Sequence, residues 1–195
     1  MRCEYMSVQI TNNLNRNLSG LISAIEICID KKLIMPALML LYSGIDVVGA
    51  LERKPNTGTK ANFIRWVDSY MLKAYPIGCS GLELYGARCG ILHTMAAESD
   101  LSRCGKAREI TYAWGDATVE HLKKAGKIIN HPNILAVHVN DLLKAFKSGL
   151  AIYFDEINKD GVRSSLVIKN AGIWLTDLPL SVVSHVLSLN NTEKV

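Results

Sequence analysis

Cysteine is sparse and irregularly placed in this chain of 195 residues: Cys3, Cys28, Cys79, Cys89 and Cys104 are odd in number and widely scattered. Secreted domains stapled by disulfides use even, closely spaced sets, so that class is set aside and a reducing cytoplasm is the expected setting. The N-terminal stretch lacks a continuous apolar segment, passing from Met1-Arg2-Cys3-Glu4 into polar Thr11-Asn12-Asn13, and no signal peptide is expected. Long apolar runs are also missing. The longest, Leu33 to Leu51, is broken by Pro36, Ser43 and Asp46. A membrane span needs about 18 nearly unbroken apolar residues, so this stretch predicts a buried helix and no membrane partner. There is no long uninterrupted basic run, internal repeat or low-complexity tract; the net charge of +4 is mild and permits an anionic partner without requiring one. What remains, 49% hydrophobic and 21% charged residues, is a globular composition long enough to bury a core without staples.

The periodicities predict a mainly α protein, an antiparallel helical bundle with a small β-containing C-terminal portion. Apolar residues at Leu18, Leu21, Ile22, Ala24, Ile25, Ile27, Cys28 and Leu33 recur at helical spacing, giving a first helix over 18–34. Pro36 suits the start of a second, central helix over 37–51, apolar nearly all round. After the loop Lys54-Pro55-Asn56-Thr57-Gly58-Thr59, either Thr59 or Asn62 can cap a third helix to about Lys73, with Phe63, Trp66, Val67, Tyr70 and Met71 inward. Tyr75-Pro76-Ile77-Gly78 breaks it, and Ser80 with Glu83 three residues on forms a capping-box signature for a fourth. Gly86 and Gly90 on that helix would admit a close partner helix.

Beyond Ser102 the texture changes. Glu109 to Trp114 and Ile134 to Val139 read as strands, Ala117 to Ile129 as the helix between them. Asn140 or Asp141 can cap a further helix to about Ile157; Asp160-Gly161 is a turn, and the tail from Val162 is ambiguous. The domain reading is a bundle over 1–100 with a mixed α/β extension over 101–195 packed on it.

The chemistry concentrates in Arg88-Cys89-Gly90-Ile91-Leu92-His93. Arginine offers a permanently charged fork for phosphate oxygens, and histidine exchanges protons near neutrality; together they could grip and cut a phosphodiester. Five positions apart on a straight helix they sit roughly 140° apart and about 7.5 Å along the axis, so they do not share a narrow face. A second copy facing across a two-fold axis would ease convergence, which motivates a homodimer. The bland alternative is an internal ion pair for Arg88 and a satisfied, half-buried His93.

The segment Glu83-Leu84-Tyr85-Gly86-Ala87-Arg88-Cys89-Gly90-Ile91-Leu92-His93 resembles the signature of the HEPN superfamily, in which Arg and His four to six residues apart lie on a late helix of a small bundle. The resemblance implies a metal-independent endoribonuclease without cofactors, acting as a homodimer on RNA, in a toxin–antitoxin or antiviral-defence setting with a cognate antitoxin or regulatory protein. It implies Arg88 and His93 as catalytic and Glu83 as a support that orients one of them. Cys89 and Ala87 stand where members often carry polar and basic residues. Met95 replaces a tyrosine that members regulated by nucleotide modification carry. A non-catalytic module of the same kind, binding RNA, a nucleotide or a protein, is the alternative, and a purely structural assembly protein the third class.

Several weaker constellations remain. Asp46, one turn from Ser43 in an apolar helix, wants a cation, with Arg88 as candidate; a cap or a partly exposed carboxylate is the other reading. Cys89 and His93 share a helical face, but zinc would need more ligands, and Cys79 and Cys104 are ten and fifteen residues from Cys89, matching no finger; no metal is expected. Arg103, Lys106, Arg108, Lys123, Lys124 and Lys127, with Tyr112 and Trp114, could track an RNA backbone, or form a solvated rim diluted by Glu109, Asp116 and Glu120. His121, His131, His138 and His185 are isolated and carry no assigned role.

Overall fold

The computed structural model describes residues 2–130, 135–174 and 184 of the chain, so His131, Ile134 and His185 fall outside the described residues. It is mainly α, with one two-stranded sheet. Helix α1 (Arg2–Asp30) extends well before the predicted start, since neither Gly nor Pro precedes Gly20 to stop it, and Leu14 and Leu18 are already buried. It ends earlier than expected, at a left-handed Lys32 (φ 59°), where Leu33 N–H donates to Cys28 O (2.7 Å) and Lys32 N–H to Ile29 O (2.9 Å). That pairing is a Schellman motif, which satisfies carbonyls the helix leaves open.

Helix α2 (Ile34–Ala50) starts two residues before Pro36, which therefore costs no helical hydrogen bond. It is the central helix: α1, α3 (Thr59–Trp66), α5 (Gly81–Thr94) and α8 (Val139–Lys159) all pack on it. Helix α3 has no side-chain cap from Thr59 or Asn62; Gly58 occupies the cap, and Asn62 donates back to Gly58 O (3.1 Å). It runs into a π-helical turn, Val67–Met71, and a last short turn, α4 (Leu72–Ala74). The predicted inner stripe of Phe63, Trp66, Val67, Tyr70 and Met71 is buried throughout. Trp66 meets Phe146 and Tyr153 of α8 edge-on, with centroids 5.8 and 6.2 Å apart, a geometry aromatic rings prefer.

After α5 and the short α6 (Asp100–Arg103), strands β1 (Ile110–Ala113) and β2 (Leu135–His138) pair in parallel, Ile110 opposite Leu135, around the crossover helix α7 (Val119–Ile128). A parallel pair needs such a crossover. The Tyr112 and Tyr42 hydroxyls hydrogen-bond, tying β1 to α2. Helix α8 starts at Val139, earlier than expected, because His138 rather than Asn140 or Asp141 caps it: His138 Nδ1 accepts from Asn140 N–H (3.1 Å). A capping acceptor placed before the first turn works whatever ring carries it. The ambiguous tail begins as α9 (Gly161–Trp174), where Asp160 Oδ1 accepts from Val162 and Arg163 N–H (3.0 and 3.1 Å). Arg163 then holds α9 through Glu52 Oε1 and Oε2 (2.8 and 3.1 Å). One buried cluster runs from Leu14 to Ala171, so α8 and α9 share the core of the helices that precede them. Among the described residues no helix is long and apolar enough to cross a membrane.

Candidate active site

Helix α5 begins with the capping box read from the sequence: Glu83 N–H donates to Ser80 Oγ (3.3 Å) and Ser80 N–H to Glu83 Oε2 (2.8 Å). Glu83 does not reach Arg88 or His93. Its carboxylate takes the Ser80 amide and hydroxyl on one oxygen and Arg108 Nε on the other (2.6 Å). At the first turn of a helix a carboxylate has orphan amides within reach, and these hold it better than a group farther along the axis. Burial pushes Glu83 up, but Arg108 and the Ser80 donors outweigh it and hold it below the ordinary value of 4.5. The folded form therefore binds its proton less readily than the unfolded chain. Its stabilising contribution is complete above pH 4.5 and is lost as pH falls through the depressed folded value. Glu83→Gln is expected to cost about 1 kcal/mol at neutral pH and to flatten the acid side of a series of thermal melts. An acid limb identical to the wild type's would refute that assignment.

Two turns on, α5 meets α2. Arg88 Nε donates to Asp46 Oδ2 at 2.7 Å, with both side chains largely covered. Arg88 Nη1 lies 3.2 Å from His93 Nε2, and the Arg88 guanidinium carbon stands 5.9 Å from the Tyr85 ring centroid. The structure thus brings Asp46, Arg88 and His93 together within one chain. The angular separation along α5 is bridged because arginine is long and lies along the helix, while His93 sits in the last turn with an exposed ring. Convergence of the pair needs no second copy. Sequence reasoning omitted Tyr85, though its place one turn before Arg88 was a legible signal.

The donor rules assign the proton on His93. Guanidinium only donates, so His93 Nε2 accepts, and a neutral ring carries its hydrogen on Nδ1. Burial pushes the Asp46 carboxyl up, against the lowering pull of Arg88. For Arg88, burial works to lower its pKa, but the Asp46 hydrogen bond and charge outweigh it and raise it, keeping a firm cation. Asp46 Oδ1 is buried with no hydrogen-bond partner among the described residues. The arrangement sets a fixed cation beside an imidazole nitrogen.

Gly86 admits the short helix α6, whose Leu101 Cβ would stand 3.7 Å from a Cβ on Gly86, and Gly90 admits the backbone of the loop before it, where one longer partner helix was expected. A Cβ on Gly86 would face Ser99 Oγ at 3.4 Å and Ala107 Cβ at 3.5 Å, while Gly90 lies against the loop that returns after α5. That loop starts at Met95, the helix C-cap, in the left-handed conformation (φ 53°). An exposed methionine loses little packing there, so Met95→Gly is expected to stabilise the protein by about 0.5 kcal/mol, a rise of one or two degrees in Tm. A fall in Tm would show that the side chain is held by packing.

Of the remaining candidates, Arg108 faces Glu83, and His121 completes the capping box of α7 with Thr118, a role the sequence reading did not give it. Among the described residues no group of three or more His, Cys, Asp or Glu side chains is placed to hold a metal ion. Burial, with Glu83 nearby, pushes the Cys79 thiol up to about 12, which leaves it protonated and inert. No family model, curated protein or solved structure matches the chain.

Proposed function

We propose that this protein is a metal-independent endoribonuclease of the HEPN type, with Arg88 and His93 as its catalytic residues. The observation that carries the reading is the 3.2 Å approach of Arg88 Nη1 to His93 Nε2, with Asp46 behind the arginine. When RNA arrives, phosphate oxygens accept from Arg88 and compete for its hydrogen bond with His93. The freed Nε2 takes the proton of a ribose 2′-hydroxyl, whose oxygen attacks the adjacent phosphorus. Arg88 stabilises the charge that builds on the phosphoryl oxygens. The 5′-oxygen leaves with the proton returned from His93, giving a 2′,3′-cyclic phosphate and a free 5′-hydroxyl. Asp46 and Tyr85 keep Arg88 in place and touch no substrate atom. A homodimer would set two such sites beside each other on one RNA, and a cognate antitoxin or regulatory protein would act by covering them.

One observation favours a second reading, a non-catalytic module that binds RNA, a nucleotide or a protein: the charge of Arg88 is already answered by Asp46. The test incubates the protein with RNA, and with DNA of the same sequence, in EDTA, beside His93→Ala and Arg88→Ala. The nuclease reading expects RNA cut, DNA intact and both variants inactive, because DNA lacks the nucleophile. Intact RNA that is bound tightly supports the module, and cleavage of DNA sinks the proposed chemistry.

A further inference from the structure

His93 and Arg103 line one cleft of about 300 Å³, together with Glu98 and Asp100. Its construction can be followed from the sequence. A Cβ on Gly90 would stand 2.5 Å from Ala96 O and 2.7 Å from Glu98 O, so only glycine lets the loop after α5 fold back this closely. The loop delivers Ser99, which is buried and forms a capping box with Ser102: Ser102 N–H donates to Ser99 Oγ (3.4 Å) and Ser99 N–H to Ser102 Oγ (2.9 Å). That box fixes α6, and the last residue of α6 is Arg103. Its guanidinium meets Glu98 Oε1 at 3.5 Å and Asp100 Oδ1 at 3.3 Å, and the side chain remains 62% exposed. Pairs so open to water are weak and screened, and they exchange readily for a phosphate that accepts two parallel hydrogen bonds.

We propose that this cleft is a nucleotide subsite and that Arg103 binds the RNA phosphate next to the one held by Arg88 and His93. The proposal rests on the reading that His93 faces RNA. A volume of about 300 Å³ is at the low end of what small-molecule sites enclose and suits one nucleotide better than a duplex. Arg103 is thus a positioning residue for the chain that enters, while Glu98 and Asp100 hold its guanidinium at the cleft until the phosphate displaces them.

The test titrates the 195-residue chain carrying His93→Ala, a variant expected to bind without cutting, with a single-stranded RNA oligonucleotide at several salt concentrations, with and without Arg103→Ala. Loss of one phosphate contact is expected to weaken binding about five- to tenfold and to lower the slope of log K against log salt by about 0.7. Arg103→Lys, which keeps the charge, is expected to restore the slope. In the cleaving background Arg103→Ala is expected to act on KM rather than on kcat. Unchanged affinity and slope overturn the proposal. Binding with the Arg103-dependent slope, but no cleavage by the unsubstituted protein, supports the subsite and sinks the nuclease reading. Cleavage indifferent to Arg103 does the reverse, and absence of RNA binding overturns both.

Discussion

His93→Ala is expected to lower the rate of RNA cleavage by about 10²- to 10⁴-fold, the range that removal of a positioned general base or acid produces. The expectation is specific because the histidine lone pair is already aimed: Arg88 can only donate, so Nε2 is the unprotonated nitrogen and sits 3.2 Å from the cation that would hold the phosphate. Arg88→Ala is expected to cost about 10²- to 10³-fold, as loss of one preorganised donor to a developing charge does. It would also leave Asp46 part-buried without its cation, so the rate must be read beside circular dichroism and a thermal melt. Arg88→Lys separates the two effects, since it keeps a charge near Asp46 but loses the fork that spans Asp46 and His93. Gel or fluorescence assays in EDTA read all three variants. Activity of His93→Ala within a few-fold of the wild type would remove the histidine from the chemistry.

Gly149→Ala, at the one glycine of α8, is expected to destabilise the protein strongly for the addition of a single methyl group. A Cβ there would stand 2.7 Å from Met71 Cα and 2.9 Å from Met71 N, and these are backbone atoms that cannot turn aside. Helix α8 approaches the π-helical turn Val67–Met71 at this point, and Trp66, Tyr70, Phe146 and Tyr153 pack around the contact. Overpacking a well-filled seam costs about 2–3 kcal/mol, or about 4–12 °C in Tm for a chain of this size. Gly20→Ala is the natural control: it lies on α1 with no atom within 4 Å of the new methyl, and helix propensity alone should raise stability by about 0.5–1 kcal/mol. Equal melting temperatures for Gly149→Ala and the wild type would mean that α8 does not seat as closely as described.

Much of the local structure was legible because its causes are local. The Ser80–Glu83 box, the inward stripe from Phe63 to Met71 and the strand–helix–strand run from Ile110 to His138 follow from spacings within a few residues. The candidate pair was legible as residue types only. Glu83 was expected, from the HEPN resemblance, to orient Arg88 or His93, yet its carboxylate turns to Ser80 and Arg108, since orphan amides at its own helix start are nearer partners. Arg103 was legible as one of several basic residues, and nothing in its neighbourhood separated it from Lys106 or Lys127. Its place in the same cleft as His93 depends on the Gly90 contact and on the turn at Met95.

By itself the sequence determined a mainly helical chain with a short strand–helix–strand unit, and put an arginine and a histidine on one late helix. These are consequences of hydrophobic period, capping chemistry and turn residues, which act over one or two helical turns. Only the tertiary structure decided that Asp46 from α2, for which the sequence offered Arg88 as the candidate cation beside the reading of a cap or exposed carboxylate, does hold Arg88, that Arg88 reaches His93 within the same chain, and that α8 and α9 join the core of the first helices. Contacts such as Asp46 with Arg88, 42 residues apart, depend on how helices approach one another. That approach is set by the summed shapes of buried side chains over the whole molecule, which no local pattern encodes.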